Sequence, residues 1–390
     1  MKVCFLTGEY PPMQGGIADH TAHLGRRLLG LGVEVSVLTT RKAASVLRSP
    51  ASDLHLSPVI NGWGLSCWRQ ISGWLNEHRP DVLHIQYQAA AYDLGGWVNW
   101  FPWYLRWWKD RPRVVTTFHD LRVPYLFPKA GPLRWRSILA LARYSDAVIV
   151  TNVEDEQALR QALEIGQLAR IPLGSNVDLK LPAGYNRDRW RAEMGLGDHK
   201  LLLAYFGFLN ESKGGEELVL TLERLVRQGH DAHLLMIGGQ LGDVDPTNRP
   251  YADRVRLLIE AQGLAKRVHW TGYTSPEEVS GNLLAADVVV MPYRDGVSFR
   301  RTTFIAALRH ERPVVTTHPA IPLAELRDGD NVLLAPPCDV DALAGAVARL
   351  AHDADLCARL TAGAGALGHL FDWPVITQGT LDLYRRLGLE

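Results

Sequence analysis

Met1–Asp19 reads MKVCFLTGEYPPMQGGIAD and Leu201–Leu218 reads LLLAYFGFLNESKGGEEL, and the two stretches share one grammar. In the first, an apolar strand runs into a loop carrying Pro11, Pro12, Gly15 and Gly16, and a helix follows. In the second, another apolar strand meets a short loop, then Lys213-Gly214-Gly215 and a helix. A loop that delivers glycines to a helix N-terminus leaves backbone N–H groups free, and such amides suit phosphate. One loop of this kind in each half implies a diphosphate held in a cleft between two domains. The substrate class it points to is an activated, nucleotide-linked one.

Outward from these junctions, short apolar runs alternate with amphipathic segments. The first half has runs at Val3–Thr7, Val35–Thr39, Val82–Tyr87, Val114–Phe118 and Ala147–Thr151. The second has Leu201–Gly207, His233–Gly238, Val268–Tyr273, Val288–Tyr293, Pro313–Thr317 and Val332–Ala335. Runs of this length, rich in Val and Leu and separated by helical segments, read as buried parallel strands. Ile17, Thr21, Leu24, Leu28 and Leu31 recur at helical spacing, and Gly30 and Gly32 close that helix. Two successive β–α series predict an α/β protein with two Rossmann-like, doubly wound domains. The boundary is expected within Pro172–Lys200, a stretch rich in Gly, Pro, Asn and charge.

A chain of 390 residues is too long for one ordinary core, in keeping with two domains. Its 42 basic and 42 acidic residues cancel, which gives no support for bulk electrostatic binding of nucleic acid. Cys4, Cys67, Cys338 and Cys357 are scattered without metal or redox spacing, and read as free thiols in a reducing compartment. Met1 leads directly into a strand, so no signal peptide is expected. No apolar run reaches the roughly 20 residues needed to span a bilayer. The expected location is the cytoplasm, with peripheral attachment at the inner face of a membrane left open.

Taken together, the motifs resemble those of family-4 glycosyltransferases with the GT-B fold, over nearly the whole chain. The resemblance rests on Gly15-Gly16, Phe118-His119-Asp120, Gly174-Ser175-Asn176-Val177-Asp178 and Gly207 with Lys213-Gly214. It continues through Val268-His269-Trp270-Thr271-Gly272-Tyr273, Ala286-Asp287 with Met291-Pro292, and Pro313-Val314-Val315. It implies an acceptor-side domain over 1–175, a nucleotide-sugar domain over 176–370, and a last helix, 371–390, crossing back to the first domain. It also implies transfer of a sugar from a nucleotide diphosphate to an acceptor with retention of configuration. The partners implied are that donor and a glycan or lipid-linked acceptor, with no cofactor.

Individual residues then acquire candidate roles. Lys213 would meet the charge that builds on the β-phosphate as the sugar leaves, where a fixed cation counts most. The bland alternative is a solvated lysine in an ordinary turn. Gly15 and Gly16 would let backbone approach the donor, unless they merely serve a turn with positive φ. His119 ends the fourth strand of the first half, and the resemblance places it against the transferred sugar; alternatively it bonds a neighbouring carbonyl. The donor-binding set implied is Gly15, Gly16, Gly207, Lys213, Tyr273, Asp295, Gly296, Ser298, Arg300 and Arg301, with His119 and Lys213 catalytic.

Three departures from the family pattern stand out. Phe208 replaces an arginine that usually clamps phosphate. Ser298 and Ala306 occupy the two acidic places of the Glu-x7-Glu motif. Arg300 or Arg301 could replace the missing clamp, since a guanidinium suits a diphosphate, or both could pair with surface acids. These departures keep open a second reading, a nucleotide-sugar or glycan binding protein that has lost turnover. A phosphorylase or epimerase of the same fold is a weaker third reading.

Asp243-Val244-Asp245 and Asp339-Val340-Asp341 invite a metal. The second pair precedes a helix that acids would cap, and the cations already present make a metal unnecessary, so none is expected. Finally, Trp63, Trp68, Trp74, Trp97, Trp100, Trp103, Trp107 and Trp108 crowd into one region. Indoles beside Arg106, Lys109, Arg111 and Arg113 suit a membrane interface, a lipid-linked acceptor or sugar stacking. A helix packed on the sheet explains them equally well.

Overall fold

The computed structural model describes residues 1–13, 15–44, 54–121, 131–175, 177–197, 199–238 and 248–389. The chain forms two compact units, Met1–Gly174 with Asp372–Glu390, and Ser175–Phe371. The first unit holds β1 (Lys2–Thr7), β2 (Glu34–Thr40), β3 (His55–Ile60), β4 (Val82–Tyr87), β5 (Arg113–Phe118), β6 (Ala147–Val150) and β7 (Leu168–Arg170). Its helices are α1 (Gly16–Gly30), α2 (Arg41–Ala44), α3 (Ser66–His78), α4 (Trp97–Leu105), α5 (Gly131–Tyr144) and α6 (Val153–Ala162). The second holds β8 (Leu201–Phe206), β9 (Ala232–Ile237), β10 (Val268–Trp270), β11 (Val288–Met291), β12 (Val314–Thr317) and β13 (Leu333–Ala335). Its helices are α7 (Arg187–Glu193), α8 (Gly215–Arg227), α9 (Arg249–Ala261), α10 (Pro276–Ala285), α11 (Thr302–Arg309), α12 (Val340–His352) and α13 (Ala354–Gly368). The last helix, α14 (Trp373–Arg386), belongs to the first unit.

Both sheets are parallel, ordered β3-β2-β1-β4-β5-β6-β7 and β10-β9-β8-β11-β12-β13. The alternation of β1 shows why helices must cover both faces. Cys4 and Leu6 enter one core with α3 and α4, while Val3 and Phe5 enter another with α1 and α14. A strand buried on both sides needs apolar residues at every position, which explains the continuous runs.

Two strands escaped the reading of the sequence, β3 and β7, and they are the two edges of the first sheet. Edge strands are shorter or more polar. β3, HLSPVI, carries a proline that only an edge tolerates, and β7 has three residues, none fully buried. His119 therefore follows the fifth strand of the chain, β5, and not the fourth. The stretch Pro172–Lys200 is also more than a linker, because it contains α7. There Arg191 is buried completely, donating to Asp287 at 3.1 Å and to the carbonyls of Ala285 and Lys200.

Candidate functional site

Strand order reverses between β1 and β4 in the first unit and between β8 and β11 in the second. In open α/β sheets the crevice at such a switch point, beyond the carboxyl ends, is where ligands sit. Each glycine loop departs from a switch strand, β1 or β8. In helices α1 and α8 that follow them, the residue before the first turn makes no side-chain cap, although the Glu216 amide of α8 donates to Tyr251 Oη at 3.2 Å.

The second unit assembles the cationic part. Gly207, just past β8, has φ 132°, and a Cβ there would lie 3.3 Å from Thr303 Cγ2 and 3.4 Å from Lys213 Nζ. Glycine is required, and the lysine head lies beside the strand end. Gly214, with φ 70°, would drive a Cβ to 1.9 Å from the Pro292 carbonyl, so the loop is pressed against the end of β11. Arg294 pins it further. Its guanidinium reaches Glu217 at 2.7 Å, Glu216 at 2.6 Å and Glu211 at 3.3 Å, while its amide donates to Ser212 O. Arg294 was absent from the candidate residues, and its position after β11 gives no hint of three carboxylates arriving from the Lys213 loop and the first turn of α8.

Burial first, and then the nearby Arg301 charge, lower the Lys213 pKa to about 8. Two cations thus converge without a shared counterion. Arg301 lies over the Tyr293 ring at 4.6 Å and is held by Asp295 at 2.5 Å. Arg301, not Arg300, is the cation whose field reaches Lys213. Ser298 Oγ accepts from the Arg300 amide at 3.3 Å, and Gly296, with φ 82°, lies so close to His318 O that a Cβ would approach to 2.6 Å. Ala306 is fully buried inside α11, and Phe208 is 47% exposed. Tyr273 follows edge strand β10 and is 91% exposed. Two strand spacings, roughly 10 Å, separate β10 from β8, so Tyr273 belongs to the rim and not to the lysine cluster.

In the first unit, Gly15 has φ 172°, ordinary extended backbone, so a positive φ is not its reason. A Cβ at Gly15 would meet Glu9 Oε2 at 2.4 Å, whereas one at Gly16 would meet nothing within 4 Å. The first glycine makes room for a carboxylate, and the second borders open space. His119, past the end of β5, donates from Nε2 to Gln86 Oε1 at 2.7 Å, and its amide donates to Tyr87 O. Its ring packs edge-on against His20 at 5.0 Å. Burial, then His20 and His84, push the His119 pKa well below the usual range. Gln86 and His20 were missed by reading the sequence. The signal for Gln86 was its place near the carboxyl end of β4, the other switch strand.

Behind this pair, His84 is clasped by Tyr384 Oη of α14 at 2.5 Å and Thr117 Oγ1 at 2.7 Å. Trp373 of α14 stacks on His23 at 5.1 Å and touches His20 at 5.3 Å. The last helix therefore supports the histidine end of the first unit from behind.

Asp339 caps α12 through the Ala342 amide and Asp341 pairs with Arg224, so neither is arranged for a metal; Asp243 and Asp245 lie outside the described residues. Among the described residues no group of three or more His, Cys, Asp or Glu could hold a metal ion. The four cysteines are free. No helix among the described residues is long and apolar enough to cross a membrane. Helix α4 answers the tryptophan question twice. Val98, Phe101 and Leu105 enter the core, while Trp97, Trp100 and Trp103, with Trp107 beyond the helix, stay exposed.

Comparison with known proteins matches both halves. The model of "Glycosyl transferases group 1" covers residues 186–365, and that of "Glycosyl transferase 4-like domain" covers 15–174. The chain is 26% identical to the phosphatidyl-myo-inositol mannosyltransferase of Mycolicibacterium smegmatis, across 98% of this chain and 92% of that protein. It is 28% identical to a GDP-mannose-dependent alpha-(1-6)-phosphatidylinositol monomannoside mannosyltransferase of the same organism, across 96% and 95%. Among solved structures, Anabaena HepE in complex with UDP and glucose superposes with a TM-score of 0.74 at 18% identity, covering 98% of each chain.

Proposed function

We propose, on the premise that this chain belongs to the family-4 glycosyltransferases of GT-B type, that it transfers a sugar from a nucleotide diphosphate to a lipid-linked or glycan acceptor with retention of configuration. One observation carries the donor half: Lys213 and Arg301 converge beside Gly207 and the uncapped start of α8, at the switch point of the second sheet. Arg301 takes the place of the clamp that Phe208 cannot provide. A guanidinium freed from Asp295 offers two parallel donors to phosphate oxygens, and Lys213 adds a point charge. As the glycosidic bond breaks, negative charge grows on the leaving phosphate, and both cations bind that state more strongly than the ground state. The amides at Gly15 and Gly16 and the His119 imidazole serve the sugar, with Gln86 fixing the ring. Gly296 and Ser298 shape the loop that presents Arg301, and Tyr273 serves the rim. No metal is needed where two cations and helix amides already face the diphosphate.

The acceptor reading is supported by the relatives named for phosphatidylinositol substrates and by the exposed indoles of α4. Indole rings settle at the level of lipid headgroups, so a chain of this kind would work peripherally at the cytoplasmic face of a membrane.

The deciding experiment offers UDP-, GDP- and ADP-sugars, with and without chelator, and follows binding, donor hydrolysis and transfer to phosphatidylinositol-containing vesicles. One donor bound and turned over in chelator, with the product retaining the anomeric configuration, is expected. Binding without any turnover across the panel would favour the binding-protein reading that Ser298 and Ala306 suggest. Loss of binding in chelator would overturn metal independence.

A further inference from the structure

We infer that the second unit carries another ligand site, a basin at the amino ends of β8, β11 and β12 that takes an organic phosphate of nucleotide size. The basin has a volume of about 1000 Å³ and is bordered by Lys200, Asp287 and Arg312 at the strand starts and by Ala354, Ala358 and Thr361 of α13. It lies at the opposite end of the sheet from Gly207 and Lys213. Six residues of β8 at about 3.3 Å each put roughly 20 Å between the two. Parallel α/β sheets bind their usual ligands at the carboxyl ends, so this basin is no extension of the donor site.

Its charges are unevenly spent. Asp287 is saturated by Arg187 at 2.5 Å, Arg191 at 3.1 Å and the Leu202 amide at 2.7 Å. Asp231 accepts from Arg267 at 2.6 Å, and the Glu311 side chain lies along Gly365. Arg312, by contrast, donates only to carbonyls, His310 O at 3.2 Å and Ala286 O at 3.5 Å. Lys200 Nζ donates only to Gly195 O at 3.1 Å. Neither has a carboxylate within ion-pair distance among the described residues. Burial, followed by the like charge of Arg187, lowers the Arg312 pKa, with Asp287 among the groups that partly offset them.

A phosphate would supply that counterion to the Arg312 guanidinium through charge-assisted bonds, and Lys200, two strand spacings or roughly 10 Å away, adds its charge at longer range. The organic body has room because the α13 wall consists of short side chains. At the mouth, the His230 and His352 rings lie 5.3 Å apart, tilted by 42°, and both border the basin. A volume near 1000 Å³ is at the upper end of small-molecule sites and exceeds what an inorganic anion needs.

The test is independent of the proposed transfer reaction, because it reads binding and because its two basin variants, Arg312→Gln and Ala358→Trp, lie at the opposite end of the sheet from the donor loop; the full chain carries Lys213→Ala throughout to weaken that loop. Calorimetric titration would use AMP, glucose 6-phosphate, inorganic phosphate and adenosine. The expected result is binding of AMP or glucose 6-phosphate, weakened at least tenfold by adding Arg312→Gln and also by adding Ala358→Trp, with no binding of adenosine. Ala358 is exposed and makes no side-chain hydrogen bond, so that variant fills the basin without unbuttoning the fold and decides the matter if Arg312→Gln unfolds. Three results would overturn the proposal: neither organic phosphate binds, both variants bind as well as the parent, or inorganic phosphate binds as tightly as the organic ones.

Discussion

Lys213 and His119 show how burial sets chemistry residue by residue. Lys213 carries a pKa lowered from 10.5 to about 8, first by desolvation and then by Arg301. The unfolded chain therefore binds more protons between about pH 8 and 10.5, and this group makes the free protein more stable as pH rises through that window. Ligand binding has the opposite slope. Affinity for a nucleoside diphosphate should fall as pH rises above about 8, by up to tenfold per unit, as the ammonium is lost. Titrations at pH 7 and 9.5 should show the fall, and Lys213→Arg should abolish it because a guanidinium stays charged. For catalysis, Lys213→Ala should lower kcat by roughly two orders of magnitude, the scale of one preorganised electrostatic group, with a smaller change in donor affinity. Steady-state kinetics beside direct binding would separate the two; an equal loss in both would mean uniform binding and no special role at the transition state. The lysine was legible in its Lys-Gly-Gly setting. Arg301 was legible only as one of two arginines, and Gln86 was not, because a neighbouring strand brings it to His119 from 33 residues away.

Helices α4 and α14 carry information that their composition alone left ambiguous. Indoles at helical spacing could line a core or a surface, and α4 puts different residues to each use. Phe101 is fully buried and Trp100 is 41% exposed, one position apart. Phe101→Ala should cost about 3–5 kcal/mol in urea unfolding, whereas Trp100→Ala should cost well under 1 kcal/mol. If the exposed face meets lipid, Trp100→Ala combined with Trp103→Ala should weaken sedimentation with acidic vesicles while leaving the unfolding midpoint in place. Unfolding of the protein by those two changes would return the whole helix to the core. In α14, Tyr384 is buried and its hydroxyl joins His84. Tyr384→Phe would leave a buried ring nitrogen without its partner and should cost about 1–3 kcal/mol, again read by urea unfolding. That contact spans 300 residues of sequence, which is why no local pattern announced it.

At the scale of the whole molecule, buried histidines make stability depend on mild acid. The pKa of His84 is lowered to about 3 and that of His20 to about 4, chiefly by burial, while His119 is also lowered. In the second unit His233 falls to about 4 for the same leading reason. All are neutral when folded, and the unfolded chain takes up protons below about pH 6.5. Stability is therefore intact above pH 6.5 and is lost as pH falls toward 4, by up to about 1.4 kcal/mol per unit for each such histidine. Urea midpoints at pH 7.5, 6.0 and 5.0 should drop progressively, and His84→Asn should shallow the slope by about one proton; a flat profile would contradict it. What the sequence determined by itself is the pair of parallel sheets and the two glycine loops, because buried strands demand unbroken apolar runs and helix starts near phosphate demand glycine. The edge strands β3 and β7 stayed hidden, since one exposed flank relaxes that demand. Only the tertiary structure decided which arginine joins Lys213, which side chain holds His119, and which indoles face outward. Each of those depends on distances between segments remote in sequence, and strand order and helix rotation are set by packing.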